Sequence, residues 1–156
     1  MMYTEKQVSD MRYVPEGEEP KGMEWDCGTT AITAIITNDK IYVGNLGDSR
    51  AVVGQVKEIA GKGRALPTKQ VVAEPMSFDH KPENRAEEQR IVKAGGEVYD
   101  NRVDGLLALS RAIGDTQFKA EPKLKPFQQK VSIIPEVKEI ALTDKEKFLV
   151  LACDGI

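Results

Sequence analysis

The stretch Thr30-Ala31-Ile32-Thr33-Ala34-Ile35-Ile36-Thr37-Asn38-Asp39-Lys40-Ile41-Tyr42-Val43-Gly44-Asn45-Leu46 decides the fold class. Its first half is a β-branched run, which suits a pleated strand. Asn38-Asp39 reads as a hairpin turn, and Lys40 to Leu46 is the returning strand. Gly47-Asp48-Ser49-Arg50 makes a further turn, after which Ala51 to Val56 pairs back. An antiparallel meander of three strands is expected. Outward from it lie a short strand near Gln70 to Ala73 and a small hairpin over Glu97 to Val103, turning at Asp100-Asn101. Two last strands follow, Val137 to Leu142 and Lys147 to Cys153, joined by Thr143-Asp144-Lys145-Glu146. The clearest helix runs from Glu83 to Ala94. Pro82 suits its start, Glu83, Glu87 and Glu88 favour its N-terminal half, Lys93 favours its last turn, and Gly95-Gly96 stops it. Six or seven strands with one good helix give a β-rich α+β chain.

The 156 residues are enough for one ordinary domain, and 40% hydrophobic with 30% charged residues predicts a packed globule. A net charge of −3 leaves no basic footprint for nucleic acid. No apolar run approaches the ~20 residues of a membrane span. Met1 to Lys6 carries no apolar signal core, so a cytoplasmic or nuclear location is expected. Cys27 and Cys153, the two cysteines, adjoin strands and are read as reduced and buried. Residues 1–25 divide from the rest as a polar N-terminal segment, with a short polar helix over 3–12 and an acidic linker from Pro15 to Gly22. Order should begin near Trp25, and 26–156 should form the domain. Gly61-Lys62-Gly63-Arg64 and Pro67 mark an irregular insertion.

Several residues are candidates for chemistry. Phe148-Leu149-Val150-Leu151-Ala152-Cys153-Asp154-Gly155-Ile156 carries a carboxylate to the tip of an apolar strand. Such a group suits Mg²⁺ or Mn²⁺, which prefer oxygen donors; Asp-Gly also commonly opens a plain turn. Asp48 stands in the same relation to the strand Ile41 to Leu46. It is either a second carboxylate at that sheet end or a turn residue bonded to backbone or to Arg50. His80 is the single histidine, which excludes a two-His zinc motif and favours a structural role in a turn. Ser110 has no Gly-x-Ser-x-Gly elbow around it, so no nucleophile is assigned. Lys119, Lys123, Lys125 and Lys130 face one acid, Glu121, over 116–132. That bias steers phosphorylated groups, or belongs to a solvated loop.

Five short segments occur in a telling order. They are Cys27-Gly28-Thr29-Thr30-Ala31, Gly47-Asp48-Ser49-Arg50, Asp79-His80-Lys81-Pro82, Leu109-Ser110-Arg111-Ala112-Ile113-Gly114-Asp115 and Ala152-Cys153-Asp154-Gly155. In this order the chain resembles the middle of the catalytic domain of type-2C metal-dependent serine/threonine protein phosphatases. The resemblance implies an antiparallel β-sandwich with flanking helices, incomplete in this chain. It implies two Mg²⁺ or Mn²⁺ ions that activate a bridging water, with phosphoproteins as substrates. Asp154 would be a ligand of that pair, and Asp48 would help bind a further, weaker metal. Residues 116–132 would be the family's flap, with Arg111 and Asp115 holding its corner, an Arg–carboxylate pair there acting as a clamp.

The departures from the family pattern matter as much. The early Glu and Arg and the Asp-Gly-His-Gly motif are absent, and His80 does not stand at the position of the family's acid histidine. The late Asp-Asn is also absent, because Asp100-Asn101 comes before the Ala152-Cys153-Asp154-Gly155 strand. The expectation is therefore a central fragment of a phosphatase domain, inactive alone, with weak or absent metal binding. No catalytic residue is assigned. The rivals are a non-catalytic, pseudophosphatase-like protein-binding module, or a second chain that supplies the missing half. Too few helices to cover both sheet faces would leave apolar surface exposed and favour self-association.

Overall fold

The computed structural model describes residues 27–60 and 66–156. The expected helix over 3–12, the acidic linker, the onset of order near Trp25 and all of Gly61–Arg64 in the insertion lie outside them. The described chain forms two compact units, one from 32–79 and 135–156, the other from 27–31 and 80–134.

The first unit is a sandwich of two three-stranded sheets. One sheet has the order β2 (Ala31–Ile36), β3 (Lys40–Leu46), β9 (Glu136–Ala141). The other has the order β10 (Glu146–Ala152), β4 (Arg50–Ile59), β5 (Thr68–Pro75). The β3–β9, β4–β10 and β4–β5 pairs are antiparallel. The expected meander is thus corrected at its third strand. Gly47–Arg50 carries the chain across to the opposite sheet instead of closing a hairpin, and β4 never pairs with β3. The turn after β9 makes the same crossing, so two adjacent strands of one sheet feed two adjacent strands of the other.

Alternation explains why the sheets stack. Ile41 and Val43 of β3 and Ala51 and Val53 of β4 are buried at every second position, and Met76 joins them in one core. Ile32, Ala34, Ile140, Leu142 and Leu149 pack against its margin. The two inner faces meet, as period-2 strands require. The sequence places Lys147 to Cys153 among the main core strands, whereas the structure gives that role to β4. Of β10 only Leu149 packs on the core, and Phe148, Val150 and Leu151 are exposed. The outer face of this sheet is apolar as well. Phe148, Gly54 and Ala73 lie abreast, as do Val150, Val52 and Pro75. Gly54 lets the Phe148 ring lie over the strand, its Cζ 2.4 Å from where a Cβ would stand, so a larger residue there would push the ring aside.

The second unit has little regular structure. It contains α1 (Arg85–Lys93) and the two-residue strands β1 (Gly28–Thr29), β6 (Val98–Tyr99), β7 (Arg102–Val103) and β8 (Ile113–Gly114). β1 pairs β8, and β6 pairs β7 across the expected Asp100-Asn101 turn. Both turn residues have positive φ, 52° and 58°, a conformation Asp and Asn tolerate better than most. Two 3₁₀ turns, Thr116–Lys119 and Pro126–Gln128, punctuate the 116–132 segment. Ile91, Val103, Ala112, Phe118 and Val131 form this unit's own apolar core.

Candidate functional site

The strongest candidate site is one end of the β4–β10 ladder. Its last pair is Arg50 opposite Ala152. Asp48 lies two residues before Arg50 and Asp154 two residues beyond Ala152, so antiparallel pairing brings both carboxylates to the same sheet end. Asp48 is half-buried and Asp154 exposed.

A set of side-chain bonds holds the turn that bears Asp48. Gly47 takes φ 105°, a value open to glycine and strained for other residues. Asn45 occupies an inward position of β3 and is buried; its Nδ2 donates to the Gly47 carbonyl at 3.2 Å and to the Phe78 carbonyl at 2.9 Å. The Ala51 N–H donates to Ser77 Oγ at 2.8 Å. Arg50 grips Asp79 with two bonds, Nε to Oδ1 at 3.1 Å and Nη2 to Oδ2 at 2.9 Å. The carboxylate partner of Arg50 is thus Asp79, not Asp48. Residues 45–51 and 76–79 form one latch beneath the turn.

Asp48 and Asp154 are hard oxygen donors of the type Mg²⁺ and Mn²⁺ take. Among the described residues, no group of three or more His, Cys, Asp or Glu side chains is arranged to hold a metal ion. The described residues therefore match such an ion in donor type and fall short of it in donor number.

The other unit carries a buried ionic hub that sequence reading missed. Glu87 is 4% exposed. Arg111 binds it in a fork, Nη2 to Oε1 at 2.7 Å and Nε to Oε2 at 3.1 Å. Arg90 Nη1 and Ser110 Oγ reach Oε2 at 2.7 and 2.6 Å. Burial pushes this carboxyl up, but the bonds from Arg111 and Ser110 and the charge of Arg90 outweigh it and hold the pKa at about 2. The expected clamp at Arg111 exists, then, with Glu87 as its carboxylate in place of Asp115. Asp115 instead sits buried in the left-handed region at φ 50°, its N–H bonded to the Cys27 carbonyl at 3.1 Å. A signal was present in the sequence. Glu87, Ile91 and Ala94 share one helical face, so a charge stood on the buried stripe.

Ser110 is buried and donates to a carboxylate, the wrong setting for a nucleophile. His80 is buried too, and its carbonyl accepts from the Ser110 N–H at 2.9 Å, in keeping with a structural role. Three of the four lysines in 116–132 are engaged: Lys130 with Asp104 at 2.7 Å, Lys119 with the Ala112 carbonyl at 2.7 Å, and Lys125 over the Phe127 ring at 5.9 Å. The buried Gln129 side chain organises the same segment. Its Nε2 donates to the Glu121 and Leu124 carbonyls, and its Oε1 accepts from the Glu121 N–H. Cys27 and Cys153 are free thiols, as expected, but both are exposed, because each lies just outside a strand end.

The family model described as "Protein phosphatase 2C" matches residues 3–156. Among curated proteins, "Protein phosphatase 2C homolog 2" of Aspergillus fumigatus is 50% identical over 139 residues, covering 89% of this chain and 29% of that relative's length. A solved phosphatase from Toxoplasma gondii superposes with TM-score 0.60 at 40% identity, covering 74% of this chain and 32% of that one. The serine-threonine phosphatase 2C of the same organism gives TM-score 0.63 at 26% identity, over 83% of this chain and 42% of that one. The chain thus spans under a third of the length of the curated relative.

Proposed function

Because the chain belongs to the protein phosphatase 2C family, we propose that it serves metal-dependent hydrolysis of phosphoserine and phosphothreonine in proteins. The observation that carries this reading is the delivery of Asp48 and Asp154 to one end of the β4–β10 ladder. In hydrolysis of this kind, Mg²⁺ or Mn²⁺ supplies the activated water and offsets charge on the phosphoryl oxygens. The chain's own contribution is to aim oxygen donors: Asp154 toward the main ion pair, Asp48 toward a further, weaker ion. The Asn45–Ser77–Asp79 latch keeps the Asp48 turn in place, so its carboxylate needs little ordering when an ion arrives.

The 156 residues by themselves should not turn over a phosphopeptide with Mn²⁺, since two carboxylates cannot fix two ions that dehydrate reluctantly. A chimera tests the reading. The matched segment of the Aspergillus relative is replaced by that of this chain, and Mn²⁺-dependent release of phosphate from a phosphoserine peptide is measured. The expected result is turnover that Asp154→Ala abolishes. A folded chimera without turnover would contradict the proposal and favour a non-catalytic binding module.

A further inference from the structure

β4 outruns its partner β10. Their ladder ends at Gln55 opposite Glu146, and one further backbone bond joins the Val56 N–H to the Lys145 carbonyl at 2.9 Å. β4 continues to Ile59, paired on its other side with β5 as far as Ile59 opposite Thr68. Over Lys57 to Ile59, among the described residues, no strand occupies the side that β10 has left. Unpaired strand edges of this kind are templates for an added strand.

A groove of about 900 Å³ opens at this place. Lys57, Lys69, Lys145 and Lys147 line it, against Glu58 and Asp144. Lys57 is paired with Glu74 at 2.6 Å, and Lys147 donates to the neutral Asp144 carbonyl. Lys69 and Lys145 make no side-chain bond among the described residues. Glu146, beside the groove, has its carboxylate oxygens occupied by Gln55 and by Thr143. The groove lining itself thus sets four lysines against two carboxylates at an open strand edge, with Glu74 and Glu146 outside that lining.

We propose that this groove takes an extended acidic segment of a protein partner, which adds to the β4 edge as a strand and sets its carboxylates against the lysines. Backbone pairing would give such a segment its direction, and the lysines its preference for acid. A nucleic-acid strand fits less well. Among the described residues no aromatic ring lines the groove for base stacking, and Glu58 and Asp144 oppose a continuous run of phosphates. The groove lies at the end of β4 away from Asp48, so a partner held here is tethered without covering the carboxylates.

The test is fluorescence anisotropy of a short labelled Glu/Asp-rich peptide with the 156-residue chain. Saturable binding that weakens as salt rises is expected. The double variant Lys69→Glu/Lys145→Glu, neither of whose side chains holds a bond among the described residues, should weaken it by roughly tenfold or more. The control Lys93→Glu/Lys123→Glu makes the same charge change at exposed positions of the other unit and should bind as the parent does. A peptide with alternate backbone amides N-methylated should bind more weakly. Absence of saturable binding overturns the proposal. So do equal losses in both double variants, equal binding of the N-methylated peptide, or equal affinity for a single-stranded oligonucleotide of the same charge.

Discussion

The two units satisfy their buried backbone by different means. In the sandwich, Ile41, Val43, Ala51 and Val53 alternate inward from long strands, and backbone ladders pair most polar groups. In the other unit the strands are two residues long and cannot do this. Side chains substitute for the missing ladders. Arg90 donates to the carbonyls of Gln129, Ser110 and Lys130 as well as to Glu87, and Gln129 binds its own loop three times. Irregular backbone that is buried needs partners for its N–H and C=O groups, and here polar side chains provide them. The sandwich should therefore fail through its apolar residues and the other unit through its ionic ones.

The largest effect should come from Val53→Asp, which puts an unpaired carboxylate into the sandwich core. A loss of more than about 4 kcal/mol is expected, enough to abolish the folded sandwich in circular dichroism melts. Glu87→Ala should cost about 3 kcal/mol, because it takes the one carboxylate away from two half-buried guanidinium groups, Arg90 and Arg111, which keep only carbonyl partners. The same carboxylate makes stability depend on pH. Its folded pKa, about 2, lies below the ordinary 4.5, so its contribution is complete above about pH 4.5 and is lost as pH falls toward 2. Glu87→Gln should flatten the acid limb of a urea-midpoint profile; an unchanged limb would remove Glu87 as the source of the slope. Gln129→Ala should cost about 1–3 kcal/mol and raise amide exchange over 121–129 more than elsewhere. The apolar outer face, with Phe148 56%, Val71 52% and Val150 47% exposed, should drive self-association. Sedimentation velocity should show concentration-dependent growth that Phe148→Ser reduces, and a concentration-independent monomer would contradict it.

Most of the sandwich was legible in the sequence because a period of two residues is a strong signal. β3 and β9 fall within a residue of their expected bounds, and the helix appears two residues late, after Asn84. The sheet change at Gly47–Arg50 was not legible. A short turn between two apolar strands looks the same whether it closes a hairpin or bridges two sheets, and only the buried polar Asn45, in line with Ile41 and Val43, hinted at a special corner. Asp48 and Asp154 stood out as candidates because each follows an apolar run, and the pairing of Arg50 with Ala152 sets their two turns at one ladder end. Of the hub around Glu87, sequence offered only a charge on the helix's apolar stripe; its partners Arg111 and Ser110 lie more than a helix length away in sequence and meet it only in the fold.

The proposed activity requires Asp48 and Asp154 to act on a divalent cation at one end of the β4–β10 ladder. Titration of the chain with Mn²⁺, followed by the loss of the free-ion electron paramagnetic resonance signal, tests it most directly. Weak binding is expected, in the roughly millimolar range of an incomplete oxygen cage. Asp154→Ala should abolish it, and Asp48→Ala should weaken it. Binding that survives unchanged in Asp154→Ala would place the ion elsewhere and rule out Asp154 as its ligand.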